Sequence, residues 1–210
     1  MSEFDGAAFI RFLGMFADRL HERREELTEL DSAIGDADHG INMDRGFTAV
    51  RAKLPELDGS DLGAAAKAVG MTLISTVGGA SGPLYGTFFL RLAAAAGERT
   101  ALDAAELGTA LRAGLEGVIH RGKASIDDKT MVDAMSPAVD AFEAAAGDGV
   151  SAGLEAAATA AAAGRDRITP LVARKGRASY LGERACGHQD PGATSTTILF
   201  ESLRDAVAEG

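Results

Sequence analysis

The chain has 210 residues, 46% hydrophobic and 25% charged, with a net charge of −10 and one cysteine. This length suits one large domain with a sizeable core, and the single expected unit is residues 1–210. The acidic balance argues against nucleic acid or an anionic membrane as partner, and a lone Cys186 excludes a disulfide framework.

Helical spacing dominates the chain. Phe9, Leu13, Phe16 and Leu20 mark one face of a first helix. Phe47, Val50 and Leu54 mark a second, ended by Pro55, and Val69 and Leu73 a third. Leu84, Phe88 and Leu92 define a fourth, and Leu111, Leu115, Val118 and Ile119 a fifth. Met131, Met135 and Ala138 indicate a sixth containing Pro137, the Ala-rich run 152–163 a seventh, and Ile198, Leu199 and Leu203 an eighth. "TLIST" and "TSTTILF" are β-branched but too short to outweigh this pattern. The expected fold is all-α, an eight-helix antiparallel up-and-down barrel or bundle. Residues 68–90 carry no charge, but five glycines and a proline interrupt them, so a spanning helix is rejected. The N-terminus lacks the basic and apolar regions of a signal peptide, and a cytoplasmic protein is expected.

The connections alternate in character. Those after the second, fourth and sixth helices are plain: "PELDGS", "GERTA" and "GDG". Those after the first, third, fifth and seventh are "LDSAIGDADHG", "TVGGASGP", "HRGKASIDDKT" and "RKGRASYLGERACGHQDPG". In an antiparallel bundle alternate connections share one end, so the four unusual loops gather there, beside four helix N-termini. Such termini offer unpaired N–H groups and partial positive charge, which suit phosphate.

Asp31, Asp36 and Asp38 fall within eight residues with no basic residue between them. Either Asp36 or Asp38 caps the second helix while the others are solvated, or the three share a cation. An EF-hand fails, because the twelfth position from Asp36 is Phe47 where Glu is required. Zinc is disfavoured by three hard oxygen ligands, whereas Mg2+ takes a few carboxylates and completes its shell with water and phosphate. In "GGASGPLYG", Pro83 reads as the first helical residue with Ser81 or Gly82 as cap. That stretch is either a tight turn or a phosphate cradle. "GVIHRGKA" has Walker A spacing, but Ala124 replaces the required hydroxyl and no strand precedes it, so the match is fortuitous; Gly122 stays a candidate ligand neighbour. Asp190, Pro191 and Gly192 read as cap and first two residues of the last helix. Arg184, six residues before them, is the candidate catalytic cation, with a surface ion pair as its plainer alternative.

"IGDADHGINMDRGF", "GGASGPLYGTFF", "DKTMVDAMSPA" and "GRASYLGERACGHQDPGATS", in order along nearly the whole chain, resemble the nucleotide-binding L subunits of dihydroxyacetone kinase. The resemblance implies a barrel of eight helices with ADP or ATP at one end through Mg2+. It implies that Asp31, Asp36 and Asp38 bind the metal. It implies nucleotide contacts at His39, Gly40, Asn42, Gly79, Ala80, Ser81, Gly122, Met131, Arg184, Asp190, Pro191 and Gly192. It also implies a separate K subunit holding dihydroxyacetone, or a related ketose such as erythrulose. The phosphoryl source is then either a phosphoenolpyruvate-dependent phosphotransferase protein that recharges bound ADP, the preferred mode, or exchanging ATP. A non-catalytic Mg-nucleotide sensor would show the same motifs.

Overall fold

The computed structural model describes residues 3–209. Among them the chain runs β1 (Phe4–Asp5), α1 (Gly6–Glu22), α2 (Arg24–Ile34), α3 (His39–Leu57), α4 (Leu62–Thr76), α5 (Ser81–Ala96), β2 (Ala101–Leu102), α6 (Ala104–Gly122), α7 (Val132–Ala145), α8 (Val150–Ile168) and α9 (Pro191–Ala208). Short 3-10 turns cover Ala146–Asp148 and Arg177–Ala185. The all-α class stands, with "TLIST" and "TSTTILF" both helical.

The helix count differs from expectation because the first helix stops at Arg23 and restarts one residue later. Arg23 pairs there with Glu26 across one turn (2.7 Å), and Leu27, Asp31 and Ile34 bury one face of α2. Asp31 therefore stands in the last turn of a helix, not in a loop. Two smaller boundaries also move. Pro55 lies inside the last turn of α3, which continues to Leu57, and α5 begins at Ser81 with Ala80 as its cap, two residues before Pro83.

α1 packs on α3, each later helix from α3 packs on the next, and α9 packs back on α1, which closes the ring. α2 lies outside this series against α3 and α9. At one end, main-chain bonds join the starts of α1 and α4 to the α5–α6 connection: Gly6 N–H to Thr100 O (3.2 Å), Leu62 N–H to Arg99 O (2.8 Å) and Gly63 N–H to Gly97 O (3.0 Å). β1 and β2 pair antiparallel at the same end. Aspartates cap three of the helices that start there: Asp5 accepts from Ala8 N–H, Asp61 from Ala64 N–H, and Asp103 forms a capping box with Glu106.

The core has two textures. α1, α3 and α5 fill one side with aromatic rings: Phe16 meets Phe47 edge-on (centroids 4.5 Å apart) and Phe88 meets Phe89 in the same manner (5.3 Å). α7, α8 and α9 are packed with small residues instead, among them Ala134, Ala138, Ala157, Ala158 and Ala161. Gly164 of α8 lies so close to the Asp133 carbonyl and the Pro137 ring that a β-carbon there would clash. Backbones can approach closely on that side, and it carries the finer loop geometry described below.

Phe47→Ala should cost about 3–5 kcal/mol of stability, because a fully buried ring in the aromatic cluster leaves a cavity. Urea unfolding followed by circular dichroism measures this; a loss below about 1 kcal/mol would mean that the cluster can collapse around the gap.

Candidate functional site

The four unusual connections meet at the end of the ring opposite β1 and β2, around a cavity of about 470 Å3. Asp31, Asp36, Asp38, His39, Gly79, Ala80, Ser81, Met131, Asp190, Pro191 and Gly192 all line it. A second, apolar space of about 270 Å3 shares Ala80, Leu84, Thr130 and Met131 with the first and extends to Val118, Gly122 and Val132.

Asp31 organises the acidic loop. Its Oδ2 accepts from the N–H groups of Asp38 (2.8 Å) and His39 (3.1 Å), so a residue of α2 caps the start of α3 from outside. Asp38, the formal cap residue, makes no capping bond with its own side chain. That leaves its carboxylate available. Ala37 turns the loop through φ +62°, a left-handed value that is uncommon outside glycine. Gly35 leaves space for the Asp31 carboxylate, which a β-carbon there would displace. Asp36 pairs with Arg177 at 2.8 Å. One carboxylate oxygen from each of Asp31, Asp36 and Asp38 lies within 4.8 Å of the others. Hard oxygen donors that close, with no amine or thiol among them, fit a hard divalent cation such as Mg2+.

His39 lies behind this cluster, 7% exposed, with both ring nitrogens engaged: Nε2 with Ser195 Oγ (2.9 Å) and Nδ1 with Ser81 Oγ (3.1 Å). Burial pushes its pKa down to about 4, with Asp31 opposing, so the ring is neutral at pH 7. The chain of hydroxyls continues inward, since Tyr85 OH lies 2.7 Å from Ser195 Oγ and 3.2 Å from Thr196 Oγ1. Burial pushes the Tyr85 phenol up to about 12, so it too is neutral. Asp190 caps α9 by accepting from Ala193 N–H (2.7 Å). Burial raises its carboxyl to about 7, and the nearby Asp133 and Asp31 act in the same direction. The first turn of α5 starts at Ala80, whose side chain cannot cap, and its N–H groups have no side-chain acceptor beside the cavity.

Three expected contacts lie elsewhere. Arg184 is exposed and lines neither cavity; the backbone kinks two residues earlier at Gly182 (φ +56°), and the neighbour that turns inward is Ala185. Gly40 is a packing residue, where a β-carbon would strike the Arg24 carbonyl on α2. Asn42 is buried off the cavity, accepting from Arg45 Nη2 at 2.7 Å and lying against the backbone at Gly78. The sequence reading also missed Lys129, Lys175 and Arg177, all of which line the main cavity. Lys175 and Arg177 flank Gly176 in the stretch that contains Arg184, and nothing in the composition of that stretch separates them from it.

The DAK2 domain family matches residues 33–205, and the chain belongs to that family. It is 48% identical over 202 residues to the PEP-dependent dihydroxyacetone kinase, ADP-binding subunit DhaL, of Escherichia coli, covering 95% of this chain and 96% of that one. It is 44% identical to the ADP-binding subunit DhaL of PEP-dependent dihydroxyacetone kinase 1 of Listeria innocua, covering 92% and 93%. It also resembles the crystal structure of the dihydroxyacetone kinase from C. freundii in complex with AMP-PNP and Mg2+ (TM-score 0.70, 26% identity). That match covers 95% of this chain but only 33% of the larger one.

A neutral His39 has a pH signature. The unfolded ring protonates below about 6.5 and the folded ring only near 4, so stability is unaffected above that range and falls as pH drops through it. NMR of the His39 ring should show no titration between pH 5.5 and 8; a midpoint above 6 would show that the ring carries charge in the folded chain.

Proposed function

We propose that this chain is the nucleotide-binding, phosphoryl-transferring subunit of a dihydroxyacetone kinase, and that a separate K subunit holds the acceptor. One observation carries this: a single cavity in which three carboxylates meet Lys175, Arg177 and the uncapped start of α5, and which runs on into an apolar slot. Asp31, Asp36 and Asp38 would hold Mg2+, which when bound neutralises charge on phosphate oxygens. Lys175 and Arg177 add positive charge to the lining, Arg177 directly beside Asp36, and the helix starts at Ala80–Ser81 and Pro191–Gly192 face the same space. Neutral His39 fixes the Ser81 hydroxyl from behind. Leu84, Val118, Met131 and Val132, with Gly122 at the edge, form a slot suited to a planar base. Catalysis in such a site is positioning and charge neutralisation, and Arg177, not Arg184, is the cation placed for it.

The acceptor would arrive at this end of the ring. The exposed large hydrophobic side chains of the described residues are Ile41, Met71, Ile74, Ile119, Ile126, Val172 and Tyr180. They belong to the first turn of α3, the last two turns of α4, the last turn of α6 or the loops around the cavity. Tyr180 is 86% exposed. Apolar side chains collected at one end of an acidic protein support docking of a partner there. The two PEP-dependent relatives support ADP as a coenzyme that stays bound and is recharged by a phosphoenolpyruvate-dependent phosphotransferase-system protein. No described helix is long and apolar enough to cross a membrane, and we place the work of the chain in the cytoplasm.

The purified chain should carry ADP. With the K subunit and dihydroxyacetone, turnover should require phosphoenolpyruvate and the phosphotransferase proteins. Turnover sustained by ATP alone would overturn the bound-coenzyme mode, and no transfer from either donor would overturn the catalytic role. Asp36→Asn should weaken Mg2+-dependent ADP binding about tenfold or more. Its melting temperature should shift by no more than about 2 °C, because the exposed Asp36–Arg177 pair adds little stability. Calorimetric titration with and without Mg2+ reads the first effect; unchanged Mg2+ dependence would remove Asp36 from the metal site.

A further inference from the structure

Segment 169–190, between α8 and α9, is a strap across the site. It carries Lys175, Gly176, Arg177 and Ala178 to the cavity wall and returns to Asp190 at the head of α9. Its apolar anchors are small: Ala173, Ala178 and Ala185 pack with Ile34 of α2 with Leu181 half-buried beside them, and Leu171 packs on Ala134, Ile168 and Ala193. Three alanines and two partly buried leucines remove little apolar surface for a segment of this length, so the strap leans on polar contacts for its place.

Three of those contacts converge on Lys129. Its side chain is 1% exposed, yet it makes no ion pair among the described residues. Its Nζ donates instead to three main-chain carbonyls: Thr169 at 2.8 Å, Leu171 at 3.1 Å and Ala185 at 2.7 Å. A neutral amine has two N–H groups, so three acceptors are matched only by the ammonium form. Thr169 and Leu171 begin the strap and Ala185 lies near its end. The Thr169 carbonyl accepts a second bond from Gly187 N–H at 2.9 Å. The two ends of the strap thus meet on one cation. Lys129 is itself fixed by its own loop, in the left-handed region at φ +62°. There the buried Asp133 carboxylate accepts from Asp127 N–H (2.6 Å) and Thr130 N–H (2.9 Å), and Arg174 N–H of the strap donates to Asp128 O (2.9 Å).

We propose that Lys129 is a positioning residue that closes the neck of the strap, holding Lys175 and Arg177 at the cavity and setting how long a nucleotide stays there. The last step rests on the function proposed above; the closure of the neck does not.

Lys129→Met removes the donors at similar side-chain length. Amide exchange of the full chain without nucleotide, resolved by mass spectrometry, reads the strap directly. Release of a fluorescent ADP analogue from the Mg2+-loaded chain reads retention. In the variant, exchange should accelerate in 169–187 and not in α1, α3 or α5, and the analogue should leave roughly tenfold or more faster. Ethylammonium added to Lys129→Ala should reverse both effects by refilling the carbonyl cage. Equal acceleration across all helices would make Lys129 a general stability residue and overturn the proposal. An unaltered strap with weaker binding would make it a direct phosphate contact, and a loosened strap with unaltered release would cut the link to retention; either also overturns it. If the natural chain binds no ADP, the proposed function fails, and strap exchange still decides whether Lys129 closes the neck.

Discussion

Mutual repulsion among three carboxylates held within 4.8 Å of one another is the constraint on which the rest of the site depends. The folded chain has to hold these charges together, and each is restrained by a different device. Asp31 is committed to two main-chain N–H groups at the start of α3. Asp36 faces the guanidinium of Arg177, supplied from the strap. Asp38 is the least engaged and stands at a helix start, where the dipole favours negative charge. The acidic loop is therefore not a local motif. It needs α2, α3 and the strap in register, which is why the small cluster of Ile34 with Ala173, Ala178 and Ala185 lies directly beside it.

The two textures of the core divide the labour around this loop. α3 and α5 come from the aromatic side and bring His39 and Ser81 on rigid, well-filled supports. α7, α8 and α9 come from the alanine side, where buried Thr194, Ser195, Thr196 and Thr197 replace bulk with hydroxyls. Ser195 and Tyr85 join the two sides by a hydrogen bond across the core at 2.7 Å, linking the packing of the ring to the orientation of His39.

Much of this was legible in the sequence. Alternation of plain and unusual connections placed the four loops around one cavity, because antiparallel connectivity sends every second loop to the same end. The Asp-Pro-Gly start of α9 was legible because cap and N1 preferences are local. The break at Arg23 was not, since the apolar spacing stays helical on both sides of it. The distinction between Arg177 and Arg184 was hidden because it depends on the kink at Gly182, which composition does not reveal. Lys129 was hidden for a deeper reason: its partners are main-chain carbonyls, which every residue has, some 40 to 56 positions away.

The closed ring has one more consequence. Eight of its helices follow one another around it, an even number, so a chain that enters at one end leaves at that end. Arg11 Nε in α1 donates to Ala206 O in the last turns of α9 at 3.0 Å, which places the first and last helices' outer ends together, remote from the cavity. Polypeptide joined at either end would leave the mouth of the site open. Further polypeptide can thus be joined to this build without crossing the cavity, in keeping with its match to one third of the longer C. freundii kinase.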